Sequence, residues 1–393
     1  LSKINAAESI RGLACLAVVF SHLILTFFPL LHTNTIADIE KMSSAESLIY
    51  NSPFGFLYSG SAAVFIFFVL SGYVLSYAIL SKKDVNQKIL TMSVKRYPRL
   101  AIPALLSCLI AYFVLFIAVD KSNVSQWFGK YGTIESSFFG AVYQGTVGSF
   151  VFGSSHLNWV LWTMQIELFG SFIVFFLLYL HNKKKGNAAL LISSLIVSIV
   201  SLAVSFTFAL GVVCFIVGIF LYLYGKKIPT LLTLPCLLIG LYLAGAHSYS
   251  ASYNLFNGFL GDKTYILLNI LSGPLIVFGI LMNPKISELM DRKLLVILGK
   301  LSFSIYLLHL IVIYAFGVPL FNLLLSNNIS YVAASFFASL VIISLSIIFS
   351  FFYSKYVDDL SIKVGAKIES LIKNQLVEKS SNILINNYKK PTD

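Results

Sequence analysis

LYSGSAAVFIFFVLSGYVLSYAIL, Leu57 to Leu80, contains no charged residue. As a helix rising 1.5 Å per residue it measures about 36 Å, enough to cross a hydrocarbon layer of about 30 Å. Nine similar runs lie on either side of it, near 9–31, 100–119, 157–180, 188–206, 208–224, 231–247, 265–282, 295–316 and 330–353. Hydrophobic residues make up 58% of the 393 and charged residues 11%, about half the usual soluble share. A soluble fold cannot bury that much apolar surface, so the chain reads as an all-α polytopic membrane bundle of about ten spans. The pair at 188–206 and 208–224 must turn tightly near Thr207–Gly211.

Charge orients the bundle. Most of the 28 Lys and Arg residues fall in alternate connections: Lys3 and Arg11, the cluster from Lys82 to Arg99, Lys183–Lys185, Lys226–Lys227, Lys285 with Arg292 and Lys293, and the tail. The other connections hold only Lys41, Lys121, Lys130 and Lys263. By the positive-inside rule both termini are cytoplasmic. The net charge of +12 then needs no nucleic-acid partner. The first apolar run is too long for a signal-peptide core and has no cleavage site after it, so it is expected to stay in place, and Leu1 points to a trimmed start.

The long outer connections, 32–56 and 120–156, are rich in Ser, Gly, Asn and Tyr, a composition that suits sugar stacking as well as plain solvation. Residues 1–355 form the membrane domain. The tail, 356–393, places Ile362, Ile368, Leu371, Ile372 and Leu376 among lysines and reads as a cytoplasmic surface helix. Cys15, Cys108, Cys214 and Cys236 all lie in apolar runs and read as packing residues, and no His/Cys cluster has metal-ligand spacing.

Ionisable groups inside spans are costly and are functional candidates by default. Arg11 and His22, eleven residues apart, share a helix face with an axial offset of about 16 Å. Arg11 falls at the inner interface, where an anchor is the plain alternative, and His22 falls near mid-membrane. Glu167 is expected at nearly the same depth, either as a carboxylate in a packing network or as the group that orients His22. Arg96 and Arg99 stand before the third span as an anchor or as a fork for phosphates. Pro103 is expected in the first helical turns, where its missing N–H is tolerated. Ser302, Tyr306 and His309 line one face of the ninth span.

These groups sit in ordered motifs: Arg11 with His22 after a ten-residue spacer, FFVLSGY at 67–73, KRYPR at 95–99, WTMQIE at 162–167 and LSFSIYLLH at 301–309. In order and spacing the chain resembles the acyltransferase family 3 membrane enzymes over roughly residues 3–355. These enzymes O-acylate glycans and lipids outside the cytoplasm. The resemblance implies an O-acyltransferase, with acetyl the expected group, in the cytoplasmic (inner) membrane of a bacterium. Acyl-CoA is the implied donor and a cell-surface polysaccharide, O-antigen or lipid-linked glycan the acceptor, with no permanently bound cofactor. It makes His22 catalytic with Arg11 and Glu167 beside it. Arg96 and Arg99 become donor ligands, with Ser71, Gly72 and Tyr73 along the donor's arm, where a small-residue helix contact is the alternative for Gly72. Trp162, Ser302, Tyr306 and His309 fall to the acceptor side.

Some relatives carry a fused extracytoplasmic SGNH-type hydrolase-like domain. None is expected within this chain, so either the membrane domain completes the transfer, which is the favoured reading, or a separate partner protein receives the acyl group. His22 acts as general base or as acyl carrier. The rival reading is a proton-coupled transporter using His22 and Glu167 as relays, although neither pseudo-repeats nor paired broken helices support it.

Overall fold

The computed structural model describes residues 2–184 and 186–372. Among these, every regular element is helical. Eight helical segments are long and apolar enough to cross a membrane. They include α1 (Ser2–Phe27), α2 (Gly60–Leu80), α3 (Val85–Val114) and α4 (Thr163–Lys184). Then come the short α5 (Asn187–Ser201), α6 (Phe206–Tyr224), the short α7 (Thr233–Ala244), α8 (Thr264–Leu281), α9 (Lys293–Val312) and α10 (Tyr331–Tyr353). The two short helices occupy the expected runs at 188–206 and 231–247. At 15 and 12 residues they reach only about 22 and 18 Å, so they fall short of a full span.

Four of the long helices start where a short polar side chain caps them. Ser59 accepts from the Ala62 amide at the start of α2, Asp84 from Gln87 at α3, Ser205 from Phe208 at α6 and Ser330 from Ala333 at α10. The cap at Asp84 corrects the third span. The helix begins about fifteen residues before the expected start at 100, so Pro98 and Pro103 are interior rather than in its first turns. The cluster from Lys88 to Arg99 is therefore helical. It can be so because its cations find carboxylates: Lys95 pairs with Glu369 and Arg96 with Glu167.

Helices α1, α2 and α9 form the centre. Helix α1 packs on α9 and α2, and α2 also meets α6 and α8, while α9 is backed by α10 and α3 by α4. Glycines set the closest approaches. A Cβ on Gly299 would fall 1.9 Å from the Glu8 carbonyl oxygen, and one on Gly72 would fall 2.0 Å from that of Phe215. Bare backbones therefore touch across the α1–α9 and α2–α6 seams, the small-residue packing that membrane helices use. Gly72 is thus filled by α6, and Tyr73 packs edge-on against Tyr222.

The tail is helical over its described part. Residues 354–372 continue α10 and bring Asp358, Asp359 and Ile362 back against the bundle. Leu376 lies outside the described residues.

Candidate active site

Two cavities of similar size, about 520 and 530 Å3, lie along α1. The first is at the end where α1 begins and is lined by Arg11, Ser71, Arg96, Arg99, Glu167 and Lys300, among others. The second is at the other end of α1, lined by His22, His32, Trp127, Trp159, Trp162 and His247, among others. Tyr306 and Val64 line both.

The arginine cavity is dense in charge. Arg11, Arg96, Arg99 and Lys300 stand against Glu8, Glu167, Asp358 and Asp359. Arg96 Nη2 donates to Glu167 Oε2 at 2.8 Å, and Ser71 Oγ donates to Glu167 Oε1 at 3.0 Å. Arg11 Nη1 meets Glu8 Oε1 at 3.2 Å. Arg96 Nε is buried without an acceptor. Arg99 and Lys300 are exposed to the cavity with no carboxylate within ion-pair distance among the described residues. Two fixed pairs therefore stand beside cationic donors that are free to meet an added anion.

The histidine cavity is built differently. His22 Nδ1 lies 2.7 Å from His309 Nε2, with ring centroids 5.0 Å apart and planes at 10°. Those values place the bond in the plane of both rings, edge to edge rather than face to face. His309 Nδ1 lies 3.0 Å from the Ile305 carbonyl oxygen, one turn back on α9. Trp127 stacks on His22 at 5.4 Å and 14°. The loop carrying Trp127 is tied to α1 by the Ser125 amide donating to the Thr26 carbonyl at 2.9 Å. Among the described residues no hydrogen bond reaches His22 Nε2, and His22 lines the cavity.

Across the cavity, Ser21 Oγ contacts His32 Nε2 at 3.2 Å, and His247 Nδ1 donates to the Gly245 carbonyl at 2.9 Å. Burial, reinforced by His247, lowers the His32 pKa to about 3, and burial also lowers His247. Both rings are therefore neutral at physiological pH. Asp262 is the one carboxylate on this lining.

Between the cavities stands Tyr306. Its hydroxyl donates to the Val160 carbonyl at 2.8 Å and lies 3.1 Å from Thr163 Oγ1. Val160 lines the histidine cavity and Thr163 the arginine cavity. The Tyr306 ring therefore bolts α9 to the start of α4 at the partition.

This arrangement regroups the expected residues. Arg11, Ser71, Arg96, Arg99 and Glu167 come together, and His22, Trp162 and Tyr306 come together with His309 behind them. Glu167 does not reach His22. It is held by Arg96 and Ser71 instead, because α3 starts early enough to place a guanidinium beside it. Ser302 lines the arginine cavity rather than the acceptor side, and its carbonyl accepts from Cys15 Sγ at 3.1 Å. Gly72 and Tyr73 do not line either cavity. His22 lies five residues from the end of α1, nearer that end than the middle, because the helix starts at Ser2.

Trp127, His32, His247 and Asp358 were not singled out by the motifs. Three of them sit in connections without periodicity. For His32 and Trp127 the only signal is the aromatic and polar composition of the outer connections, while His247 closes the expected run at 231–247.

Residues 4–351 match the family profile described as an acyltransferase domain. No curated protein and no solved structure gives a significant match.

Proposed function

The chain belongs to acyltransferase family 3, and from that premise we propose that it moves an acyl group, acetyl first of all, from acyl-CoA to a hydroxyl of a glycan. The donor occupies the arginine cavity, reached from the cytoplasm, and the acceptor occupies the histidine cavity on the opposite side of a bacterial cytoplasmic membrane. The observation that carries this reading is the meeting of two cavities of opposite character at Tyr306, with His22 lining the second.

An acyl-CoA nucleotide carries several phosphates and cannot cross hydrocarbon. Arg99 and Lys300 offer exposed cationic donors to it. Its slender thioester arm needs only to pass Tyr306 and Val64. The acceptor cavity suits a neutral polyol, with neutral imidazoles for its hydroxyls and indole faces for its sugar ring. His22 Nε2 removes the hydroxyl proton as the oxygen attacks the thioester carbonyl. The new C–O bond forms, the C–S bond breaks, and the thiolate leaves and is reprotonated to free CoA. A transient acyl-His22 is the variant in which Nε2 itself attacks.

The test is thiol release from acetyl-CoA by purified protein in liposomes, with methyl glycosides of glucose, rhamnose and N-acetylglucosamine as acceptors. Wild type releases thiol and forms ester, while His22→Ala loses roughly 10²–10⁴-fold and still binds acetyl-CoA. Folded wild type that neither binds acetyl-CoA nor releases thiol would overturn the reading and favour a transporter.

A further inference from the structure

A carbonyl oxygen only accepts hydrogen bonds, so the ring nitrogen facing it must carry the hydrogen. His309 Nδ1 lies 3.0 Å from the Ile305 carbonyl and is therefore the protonated nitrogen of that ring. His309 is fully enclosed, 0% exposed, where a charged ring is costly. As a neutral ring its Nε2 is then bare and can only accept. The in-plane contact of 2.7 Å makes His22 Nδ1 the donor. That leaves the lone pair of His22 on Nε2, the nitrogen that no hydrogen bond reaches among the described residues. One backbone carbonyl thus sets two tautomers in series.

We infer that His309 is the positioning residue that holds His22 in its proton-accepting tautomer and shares its charge once it has taken a proton. With the other tautomer His22 would present an N–H to the acceptor hydroxyl and could not act as base. A neutral imidazole is cheaper to bury here than a carboxylate. It also strengthens its bond to His22 when that ring becomes cationic, because the hydrogen bond is then charge-assisted. The proton on His22 Nδ1 has a direct path to His309 Nε2, and the Ile305 carbonyl steadies His309 through Nδ1–H. The catalytic consequence rests on the acyl-transfer reading, whereas the tautomer does not.

Two substitutions separate the two ends of the His309 ring. His309→Gln places an amide oxygen where Nε2 was and still accepts from His22. His309→Asn keeps an amide donor within reach of the Ile305 carbonyl, but it is too short to meet His22. The measurement is 15N spectroscopy of histidine-labelled protein in liposomes, the His22 signals being assigned by their loss in His22→Gln, with thiol release from acetyl-CoA recorded on the same samples.

Wild type is expected to show His22 protonated at Nδ1 and bare at Nε2. His309→Gln keeps that signature and stays within about tenfold of wild-type thiol release. His309→Asn loses both, the rate falling roughly 10²-fold or more. The inference is overturned if wild-type His22 carries its proton on Nε2, a result that needs no variant to fold. It is equally overturned if folded His309→Asn keeps both signature and rate. Spectra that match with no thiol release from wild type would uphold the tautomer and sink the acyl-transfer reading instead.

Discussion

The two cavities have nearly the same volume and share a wall, yet they handle charge in opposite ways. The arginine cavity concentrates full charges from several helices and fixes two of its cations in pairs. The histidine cavity relies on groups that titrate but are held neutral. A buried ion pair is maintained by mutual attraction and fails when one member is removed. A buried neutral imidazole needs only its hydrogen bonds. The proposed transfer would use that difference, with a multiply charged donor cradled on one side and a neutral imidazole as base on the other.

The largest expected effect comes from breaking a pair in the charged cavity. Arg96→Ala strands the Glu167 carboxylate and costs about 3–5 kcal/mol in unfolding free energy. Arg99→Ala removes a cation with no partner at ion-pair distance. Its stability stays within about 0.5 kcal/mol, while acetyl-CoA affinity falls roughly tenfold. Denaturant unfolding in detergent alongside donor titration checks both. Equal destabilisation by the two variants would erase the distinction between paired and free cations.

A smaller effect sharpens the wall between the cavities. Tyr306→Ala opens the partition, and thiol release without any acceptor should rise roughly tenfold as water reaches the thioester. Tyr306→Phe keeps the ring and loses the hydrogen bonds to Val160 and Thr163. It should cost about 1–2 kcal/mol of stability with little acceptor-free release. A leak as large in the Phe variant would show that the hydroxyl, not the ring, closes the passage.

A further effect concerns pH. The His32 pKa, lowered to about 3 by burial and by His247, compares with about 6.5 in the unfolded chain. Between those values the unfolded state binds more protons, so stability is fully present above about pH 6.5 and falls as pH drops toward 3. Melting temperature recorded from pH 7.5 to 4.5 should fall less steeply in His32→Gln than in wild type. An unchanged slope would place the acid sensitivity elsewhere.

Legibility followed range. Apolar runs are readable, and α2, α6, α8 and α10 start and end within a few residues of their expected positions. Helix α3 was misplaced because six cations and two prolines read as the approach to a helix. Four of those cations and both prolines lie inside one, where Glu167 and Glu369, distant in sequence, neutralise two of the charges. Within the site, the members of each motif were visible, but their partners were not.

Hydrocarbon imposes a local rule on the sequence: each stretch must satisfy its own backbone and present apolar side chains, and a helix does both within a single run of residues. Membrane helices, their order and the presence of costly ionisable groups among them were therefore written in the composition of each run. The pairing of those groups obeys no local rule. His22 meets His309 across 287 positions and Arg96 meets Glu167 across 71, because α1 seats against α9, and α3 against α4, at particular depths. Packing gave the orienting role beside His22 to a second imidazole and left Glu167 to an arginine. Helix contact geometry decides this, and no spacing along the chain encodes it.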